Sequence, residues 1–241
     1  MNSMRNVLGY PRIVALLAVA VALAVSAGPA RAQTIQYIED HGNSITFGDK
    51  VFSNFSVSVN TSAGQAVVPN AAGITVNYLG LSGTTETLGF DFNAFAGAFT
   101  PGSFSDGDFT IRFHVHSLGA PITSIGLTGV SATVSGIGSA TIDESSLPVG
   151  TPTDIHYTNA NGVVTSNGGS IAYVPPQTDL NITKDVNFSA FDAGTTSITT
   201  MSAFDETFTQ QSFVPEPASL IMAGLGCAGF AGYGLRKRRK S

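Results

Sequence analysis

The sequence predicts an all-β domain, an antiparallel sandwich or jelly roll, flanked by an N-terminal signal helix and a C-terminal transmembrane helix. Three observations support the β prediction. Apolar and polar residues alternate in many short stretches, turn-forming residues separate these stretches every ~8–12 residues, and helical periodicity is hard to find. Ser and Thr occupy many polar positions, which is typical of a sheet with one face in water. Residues 33–213 are long enough for one such domain.

Two stretches show the alternation most clearly. In residues 51–59 we expect one inward face, which consists of Val51, Phe55, Val57 and Val59. In residues 109–116 the apolar positions form the expected inward face: Phe109, Ile111, Phe113 and Val115. The polar positions of that second stretch, Arg112, His114 and His116, are expected to face outward.

A third stretch, residues 180–188, alternates until Lys184 and Asp185 interrupt the pattern, and we expect a turn or bulge there. Further strand candidates are residues 74–79, 87–92, 122–127, 139–142, 154–158, 170–174, 198–204 and 207–213. Residues 90–99 are left open as a strand, a loop or a short helix. Glycine- and asparagine-containing turns are expected at residues 105–108, 159–162, 167–169 and 192–194.

The charge distribution limits the class of partner. Residues 33–216 contain all 16 acidic residues and only three basic ones, Lys50, Arg112 and Lys184. A domain this acidic is not expected to bind nucleic acid or an anionic lipid surface through its overall field. Cys227 is the only cysteine, so the sequence also excludes a disulfide framework and a metal-thiolate site.

The first 32 residues have the layout of a secretory signal peptide. A polar stretch with Arg5 and Arg12 precedes the apolar residues 13–25, and the small-residue pattern Ala30-Arg31-Ala32 follows. An apolar helix of that length rises about 20 Å, which is short of the roughly 30 Å hydrocarbon core. We therefore expect export and cleavage by signal peptidase between Ala32 and Gln33. The alternatives are a buried core helix or an uncleaved anchor.

The last 28 residues form a second segment with three parts. Val214, Pro215, Glu216 and Pro217 begin it, and the prolines hold this stretch extended, as a protease requires of its substrate. Residues 218–235 carry no charge and would rise about 27 Å as a helix, near the minimum for a membrane span. Five basic residues then oppose translocation and act as a membrane stop: Arg236, Lys237, Arg238, Arg239 and Lys240. The predicted precursor is a single-pass inner-membrane protein with its body outside.

This tail resembles the PEP-CTERM protein-sorting domain, which is also known as the ice-binding protein C-terminal domain. The resemblance covers residues 214–240 and rests on the order of the motif, the glycine-rich span and the basic cluster. It implies cleavage near residues 215–217 by an exosortase, an integral-membrane cysteine transpeptidase-like enzyme. It also implies a Gram-negative bacterium that makes extracellular polysaccharide. It implies nothing about the activity of residues 33–213.

Two groups of residues are candidates for a metal site. His114 and His116 lie about 6.5–7 Å apart on one strand face, and they could share a zinc ion if a third ligand joined them. Asp106 and Asp108 flank a glycine and could ligate calcium in a turn. The neighbouring Arg112 favours the alternative, a solvated polar face, and we expect no cofactor.

No catalytic motif is present in the sequence. It contains neither a G-x-S-x-G elbow nor an H-E-x-x-H pattern, and it has no tryptophan for a sugar platform. We therefore expect a non-enzymatic protein that is exported, processed by the exosortase and associated with the cell surface or the extracellular polysaccharide. The alternatives are a secreted carbohydrate- or calcium-binding module and an uncleaved, membrane-anchored surface protein.

Overall fold

The computed structural model describes residues 32–147 and 153–211 of the 241-residue chain. The predicted signal segment up to Arg31 lies outside the described residues, and so does the predicted sorting tail from Val214 onward. Within the two described ranges, no helix is long and apolar enough to cross a membrane.

The described strands form two antiparallel sheets. The six-stranded sheet has the order β1 (Gln33–Thr34), β4 (Thr75–Ser82), β5 (Thr85–Ala98), β13 (Ser197–Gln210), β7 (Ile122–Ser135) and β11 (Gly169–Gln177). The seven-stranded sheet has the order β10 (Val163–Asn167), β9 (Thr153–Ala160), β8 (Ile137–Leu147), β12 (Asp179–Phe191), β6 (Phe104–Ser117), β3 (Lys50–Ala63) and β2 (Ser44–Phe47). A short helix, α1 (Ile35–Asp40), and a 3₁₀ turn (Ala71–Gly73) complete the described elements. The all-β prediction is confirmed, and the two-sheet layout fits a sandwich.

The core lies between the two sheets and is rich in phenylalanine. The ring centroid of Phe52 in β3 lies 5.4 Å from that of Phe208 in β13, so these rings meet across the sheets. Phe90 of β5 and Phe113 of β6 meet in the same way at 5.5 Å. Burial of each such side chain stabilises the fold by roughly 1.5–3 kcal/mol. Because the chain contains a single cysteine, burial rather than disulfide bonding holds the described domain together.

Strand β6 has the two faces that the sequence predicts. Its apolar residues are 2% exposed or less and point into the core: Phe109, Ile111, Phe113 and Val115. Arg112 is exposed, and His114 and His116 are half-buried on the opposite face. The strict alternation of this stretch therefore predicts correctly which of its side chains face the core.

The predicted inward face of β3 is wrong at Val51 and at Val59, which is 48% exposed. A bulge at Asn54, which has φ 55°, shifts the register with β6 between Ser53 and Ser56. Lys50 and Phe52 face inward before the bulge and Phe55 faces inward after it, so Val51 lies on the outer face opposite His116. The side chain of Asn43 stabilises the bulge, since it accepts from the Phe55 N–H at 2.7 Å and donates to the Phe55 carbonyl. One inserted residue has changed which side chains are buried.

The predicted interruption at Lys184 is also wrong. β12 continues through Lys184 and Asp185 without a turn, and its register with β6 and β8 is unbroken. Lys184 occupies an inward position and is completely buried, because carboxylates in the core neutralise it. Residues 90–98, left open by the sequence, belong to the long strand β5.

Three of the four predicted turns form. Residues 159–162 and 167–169 join β9, β10 and β11, and Gly194 at φ 109° lies in the loop between β12 and β13. The turn predicted at residues 105–108 does not form, because this segment is the beginning of strand β6. Position 107 leaves no room for a side chain. A Cβ atom on residue 107 would lie 2.6 Å from Cε2 of Phe188 and 3.0 Å from Cγ2 of Val68.

Candidate functional site

The outward residues of β6, β12 and β8 form a continuous polar surface on the seven-stranded sheet, which we call the polar face. Residues directly opposite each other in an antiparallel sheet have their side chains on the same side. The register therefore places Asp108 beside Asn187, and Asn187 lies beside Thr141 on its other side. It places Thr110 beside Asp185 in the next outward row. All four candidate metal ligands of the sequence, Asp106, Asp108, His114 and His116, lie along β6 on this face.

Asp108 lies in a hydrogen-bonded group at the middle of the polar face. Asn60 of β3 donates to Asp108 Oδ1 at 3.1 Å and to Thr110 Oγ1 at 2.8 Å, and Thr110 in turn donates to Asp185 Oδ1 at 3.0 Å. Partial burial raises the pKa of Asp108, the hydrogen bond from Asn60 opposes this, and the charges of Asp185 and Asp106 raise the pKa further. Burial also raises the pKa of Asp106. The Asp108 carboxyl is therefore repelled by Asp106 on its own strand and by Asp185 on β12.

The two histidines share one carboxylate. Asp179 Oδ1 lies 2.7 Å from His116 Nδ1 and 3.5 Å from His114 Nε2. The hydrogen bond from His116 lowers the pKa of Asp179, against a smaller opposing effect of burial. Sequence reasoning missed Asp179, since it is 63 residues away from His116 in the chain and only the strand register brings it there.

The described residues contain no ready-made metal centre. In residues 32–147 and 153–211 no group of three or more His, Cys, Asp or Glu side chains has the arrangement to hold a metal ion. Asp106 and Asp108 lie on an extended strand, where they do not converge as ligands in a loop do. The zinc and calcium sites stay sequence predictions.

A row of exposed apolar side chains borders the polar face at one end. Phe191 of β12 is paired with Phe104 of β6 on one side and with Ile137 of β8 on the other. These three residues are 40%, 53% and 44% exposed, respectively. The sequence did not single them out, because each lies at the end of its strand, and strand pairing alone makes them neighbours.

The described surface is strongly acidic. Lys50, Arg112 and Lys184 are the Lys and Arg residues within the described ranges, and only Arg112 among them is exposed. Lys50 of β3 pairs with Glu86 of β5 at 2.8 Å and with Asp49 at 2.9 Å. Lys184 of β12 pairs with Glu144 of β8 and with Glu206 of β13. Both lysines thus connect the two sheets inside the core instead of compensating the acidic exterior.

Of the predicted processing sites, Gln33 lies within the described fold, whereas Ala30 and the tail motif do not. Gln33, the expected first residue after signal cleavage, is also the first residue of β1, where it pairs with Val76. Ala30 and the tail residues from Val214 to Lys240 lie outside the described residues. Gln210, the last residue of β13, precedes Val214 by four residues in the sequence.

Comparison with known proteins identifies this tail. Residues 213–239 match the family model of the PEP-CTERM protein-sorting motif. The resemblance seen in the sequence is therefore confirmed, and it is limited to this C-terminal segment. The PEP-CTERM motif indicates a protein that is exported, processed at the membrane and then located at the cell surface or outside the cell.

The remaining comparisons add little about the body. No curated protein matches the chain. A solved structure described as TmCBM61 in complex with beta-1,4-galactotriose is 12% identical and aligns with a TM-score of 0.30. That alignment covers 74% of this chain and 99% of the other, and its TM-score is too low to indicate a shared fold or ligand.

Proposed function

We propose that this protein is a non-enzymatic component of the cell surface or extracellular polysaccharide matrix, and that an exosortase releases or transfers it there. Residues 33–213 are the delivered domain. Residues 214–217 are the processing motif, residues 218–235 the temporary membrane span and residues 236–240 the cytoplasmic stop. The observation that carries this proposal is the PEP-CTERM match at residues 213–239.

The described domain suits delivery to a polysaccharide-rich surface. Its exterior has one exposed Lys or Arg side chain, Arg112, within the described ranges, so neutral and polar partners are favoured over polyanions. Its polar face presents Ser, Thr, Asn and Asp side chains, which hydrogen-bond to hydroxyl groups. The motif begins a few residues after β13, so that an enzyme at the membrane would act close to the folded body.

The mass of the mature protein tests this proposal. We expect the exported form to begin at Gln33 and to lack Cys227 and the basic cluster, because exosortase processing removes both. Pro215→Ala combined with Glu216→Ala and Pro217→Ala should leave the full tail on the protein, whereas Pro101→Ala, in an exposed turn, should leave processing unchanged. A mature wild-type protein that still carries Cys227, in a cell with an active exosortase, would contradict the proposal and support the uncleaved anchor.

The basic stop is tested separately. Replacement of Arg236, Lys237, Arg238, Arg239 and Lys240 by Gln should release the precursor from the membrane before processing, since each basic side chain opposes passage through the bilayer centre by roughly 2.5–3.5 kcal/mol. Arg112→Gln is the control for loss of a positive charge from the exported body. Normal membrane retention and maturation of the five-residue variant would show that residues 236–240 are not a stop signal.

A second candidate function is glycan binding by the polar face. The row of Phe104, Phe191 and Ile137 supports it, because exposed apolar side chains beside hydrogen-bonding ones suit a sugar ring with one apolar face. Binding to a glycan array, with and without EDTA, tests this function and its calcium-dependent form together. Phe191→Ala should abolish binding, and Leu79→Ala, which removes an exposed apolar side chain from the other sheet, should not. Absence of binding in both arms would exclude it.

A further inference from the structure

Lys184, Glu144 and Glu206 meet in the interior between the two sheets. Lys184 and Glu144 are directly opposite each other in the seven-stranded sheet, and both point inward. Glu206 reaches them from β13 at the middle of the other sheet. None of the three side chains has any exposed area. The Lys184 Nζ atom contacts Oε2 of both glutamates.

The surroundings of these three groups offer few other polar partners. The second carboxyl oxygen of each glutamate, Oε1, is buried and has no hydrogen-bond partner among the described residues. The aromatic ring of Phe204 lies 5.4 Å from Lys184 Nζ. A buried carboxyl oxygen without a partner costs free energy, about 1–3 kcal/mol or more for a charged group. An amine and two carboxyls are thus held together without any solvent-exposed surface.

The protonation state of the group favours one neutral acid. Burial and the charge of Glu144 raise the pKa of Glu206 well above its usual value, although Lys184 opposes this. Burial alone would lower the pKa of Lys184, but the charges of Glu206 and Glu144 raise it overall. These two directions favour a protonated Glu206 carboxyl beside the Lys184 ammonium.

We propose that Lys184 and Glu206 are joined by an amide bond that forms inside the folded domain and links the two sheets covalently. This inference is independent of the sorting function. It assigns a nucleophile, Lys184 Nζ, an electrophile, Glu206 Cδ, and a proton-transfer group, the Glu144 carboxyl.

The reaction balances without any further reactant. The Lys184 ammonium first transfers one proton to the Glu144 carboxylate and becomes a neutral amine. Nζ then attacks Cδ of the Glu206 carboxylic acid, and Glu144 accepts the second amine proton while it gives its own to the departing hydroxyl group. The N–C bond forms, the C–O bond breaks, and one water molecule leaves. The products are a secondary amide and a neutral Glu144 acid.

The folded interior makes this condensation favourable where water does not. In water an amine and an acid are stabilised as separate ions, and this stabilisation opposes amide formation. Burial removes it, since desolvation of an ion costs several kcal/mol. The fold also holds the reacting atoms together, and well-oriented groups of this kind reach effective concentrations of about 10⁵–10⁸ M. The amide product leaves no buried charge.

Lys50 provides a matched control inside the same domain. It is equally buried and also pairs with a glutamate from the other sheet, Glu86, at 2.8 Å. Its second carboxylate, Asp49, is 36% exposed and accepts a hydrogen bond from Gln210. Burial would raise the pKa of Asp49, but the hydrogen bonds from Gln210 and Lys50 lower it overall. Asp49 therefore stays a solvated carboxylate, and we expect an ordinary ion pair at Lys50.

A chymotryptic digest of the denatured, full-length exported protein tests the proposal. Cleavage after the aromatic residues of β12 and β13 separates the segment that contains Lys184 from the segment that contains Glu206, residues 205–208. We expect one branched peptide whose mass is the sum of the two segments less one water molecule. Its fragmentation should place the junction at Lys184 and Glu206. Two separate linear peptides from folded wild-type protein would overturn the proposal.

Variants assign the roles. Lys184→Met should give only linear peptides, and Lys50→Met combined with Glu86→Leu, which leaves no unpaired charge, should still give the branched peptide. Glu144→Gln keeps both joined residues but removes the proton-transfer group, so the branched fraction should fall at least tenfold. A branched peptide that persists unchanged in Glu144→Gln would contradict the role of Glu144. A one-water loss located at Asp106-Gly107 instead of Lys184 would contradict the cross-link itself.

Discussion

Lys50 Nζ of β3 and Glu86 Oε2 of β5 form an ion pair, 2.8 Å long, across the interface of the two sheets. Lys50 has no exposed surface, and the Glu86 side chain is 4% exposed. A pair this deeply buried is stable only while both partners are present, because each charge compensates the desolvation of the other. It fixes the relative position of the two sheets at one place in the core, and the group of Lys184, Glu144 and Glu206 joins them at another.

Removal of one partner of this pair should destabilise the domain strongly. We expect Lys50→Met to lower the free energy of unfolding by about 3–5 kcal/mol, because Glu86 is then buried without a counter-ion. Urea unfolding monitored by circular dichroism measures this change. Lys50→Met combined with Glu86→Leu should recover much of the loss, since it leaves no unpaired charge. Arg112→Met, at an exposed position, should change stability little, and equal losses in the single and double variants would contradict the pair's coupling.

A methyl group at position 107 should be poorly tolerated. Gly107→Ala would place its Cβ atom against the ring of Phe188 and the side chain of Val68, and such overpacking costs about 1–3 kcal/mol. Gly73→Ala is the matched comparison, because its Cβ would lie at ordinary contact distances, 3.7 Å from Pro69 Cβ and 3.8 Å from Asn70 Oδ1. Thermal unfolding of the two variants should therefore differ clearly. An unchanged melting temperature for Gly107→Ala would mean that β6 and β12 pack differently.

The bulge at Asn54 should tolerate glycine and reject a β-branched residue. Asn54 has φ 55°, a left-handed conformation that asparagine and glycine adopt readily. Asn54→Val should lower stability by about 1–2 kcal/mol, whereas Asn54→Gly should be nearly neutral. Chemical denaturation of both variants measures the difference. If valine were as well tolerated as glycine, the inward positions of Phe52 and Phe55 would not depend on this bulge.

Ionisation of Asp108 and ionisation of Asp179, both on the polar face, should change the stability of the protein in opposite directions. The pKa of Asp108 is raised, by burial and by Asp185 and Asp106, so its ionisation destabilises the folded state as pH rises above the unfolded pKa of about 3.9. Asp108→Asn, which keeps an oxygen for Asn60, should therefore stabilise the protein at neutral pH, by about 0.5 kcal/mol, with the gain disappearing below about pH 3.9.

Asp179 provides the opposite case. The hydrogen bond from His116 lowers its pKa, so the stability that its carboxylate contributes is present above the unfolded pKa and is lost as pH falls through the folded pKa. Asp179→Asn should destabilise the protein at neutral pH and become neutral in acid. Melting temperatures of both variants between pH 3 and pH 7 measure these slopes. Slopes of the same sign would refute the assignment.

The sequence predicted those features that depend on local pattern. β6 is correct in both faces because its alternation from Phe109 to His116 is unbroken. The predicted orientation of Val51 in β3 is wrong, because the bulge at Asn54 reverses the alternation of inward and outward residues. No local sequence pattern reveals this bulge. Lys184 was interpreted as a break in β12, since a charged residue at an inward position is explained only by its partner Glu206 on a distant strand.

The candidate sites that depend on consecutive residues were also predicted, and those that depend on strand pairing were missed. The sorting tail was recognised because its three parts are consecutive in the chain, and the family match confirms it. The third partner of His114 and His116 was missed because Asp179 joins them through strand pairing alone. The same holds for the apolar row at Phe191.

β13 is the last described strand in the chain, yet it lies between β5 and β7 in the interior of its sheet. Neither neighbour can complete its hydrogen bonding until this strand arrives. The domain must therefore remain open during synthesis and transport until nearly all of it has crossed. A membrane-spanning tail immediately after β13 would hold this strand close to β5 and β7. The sorting tail would then also assist the last step of folding.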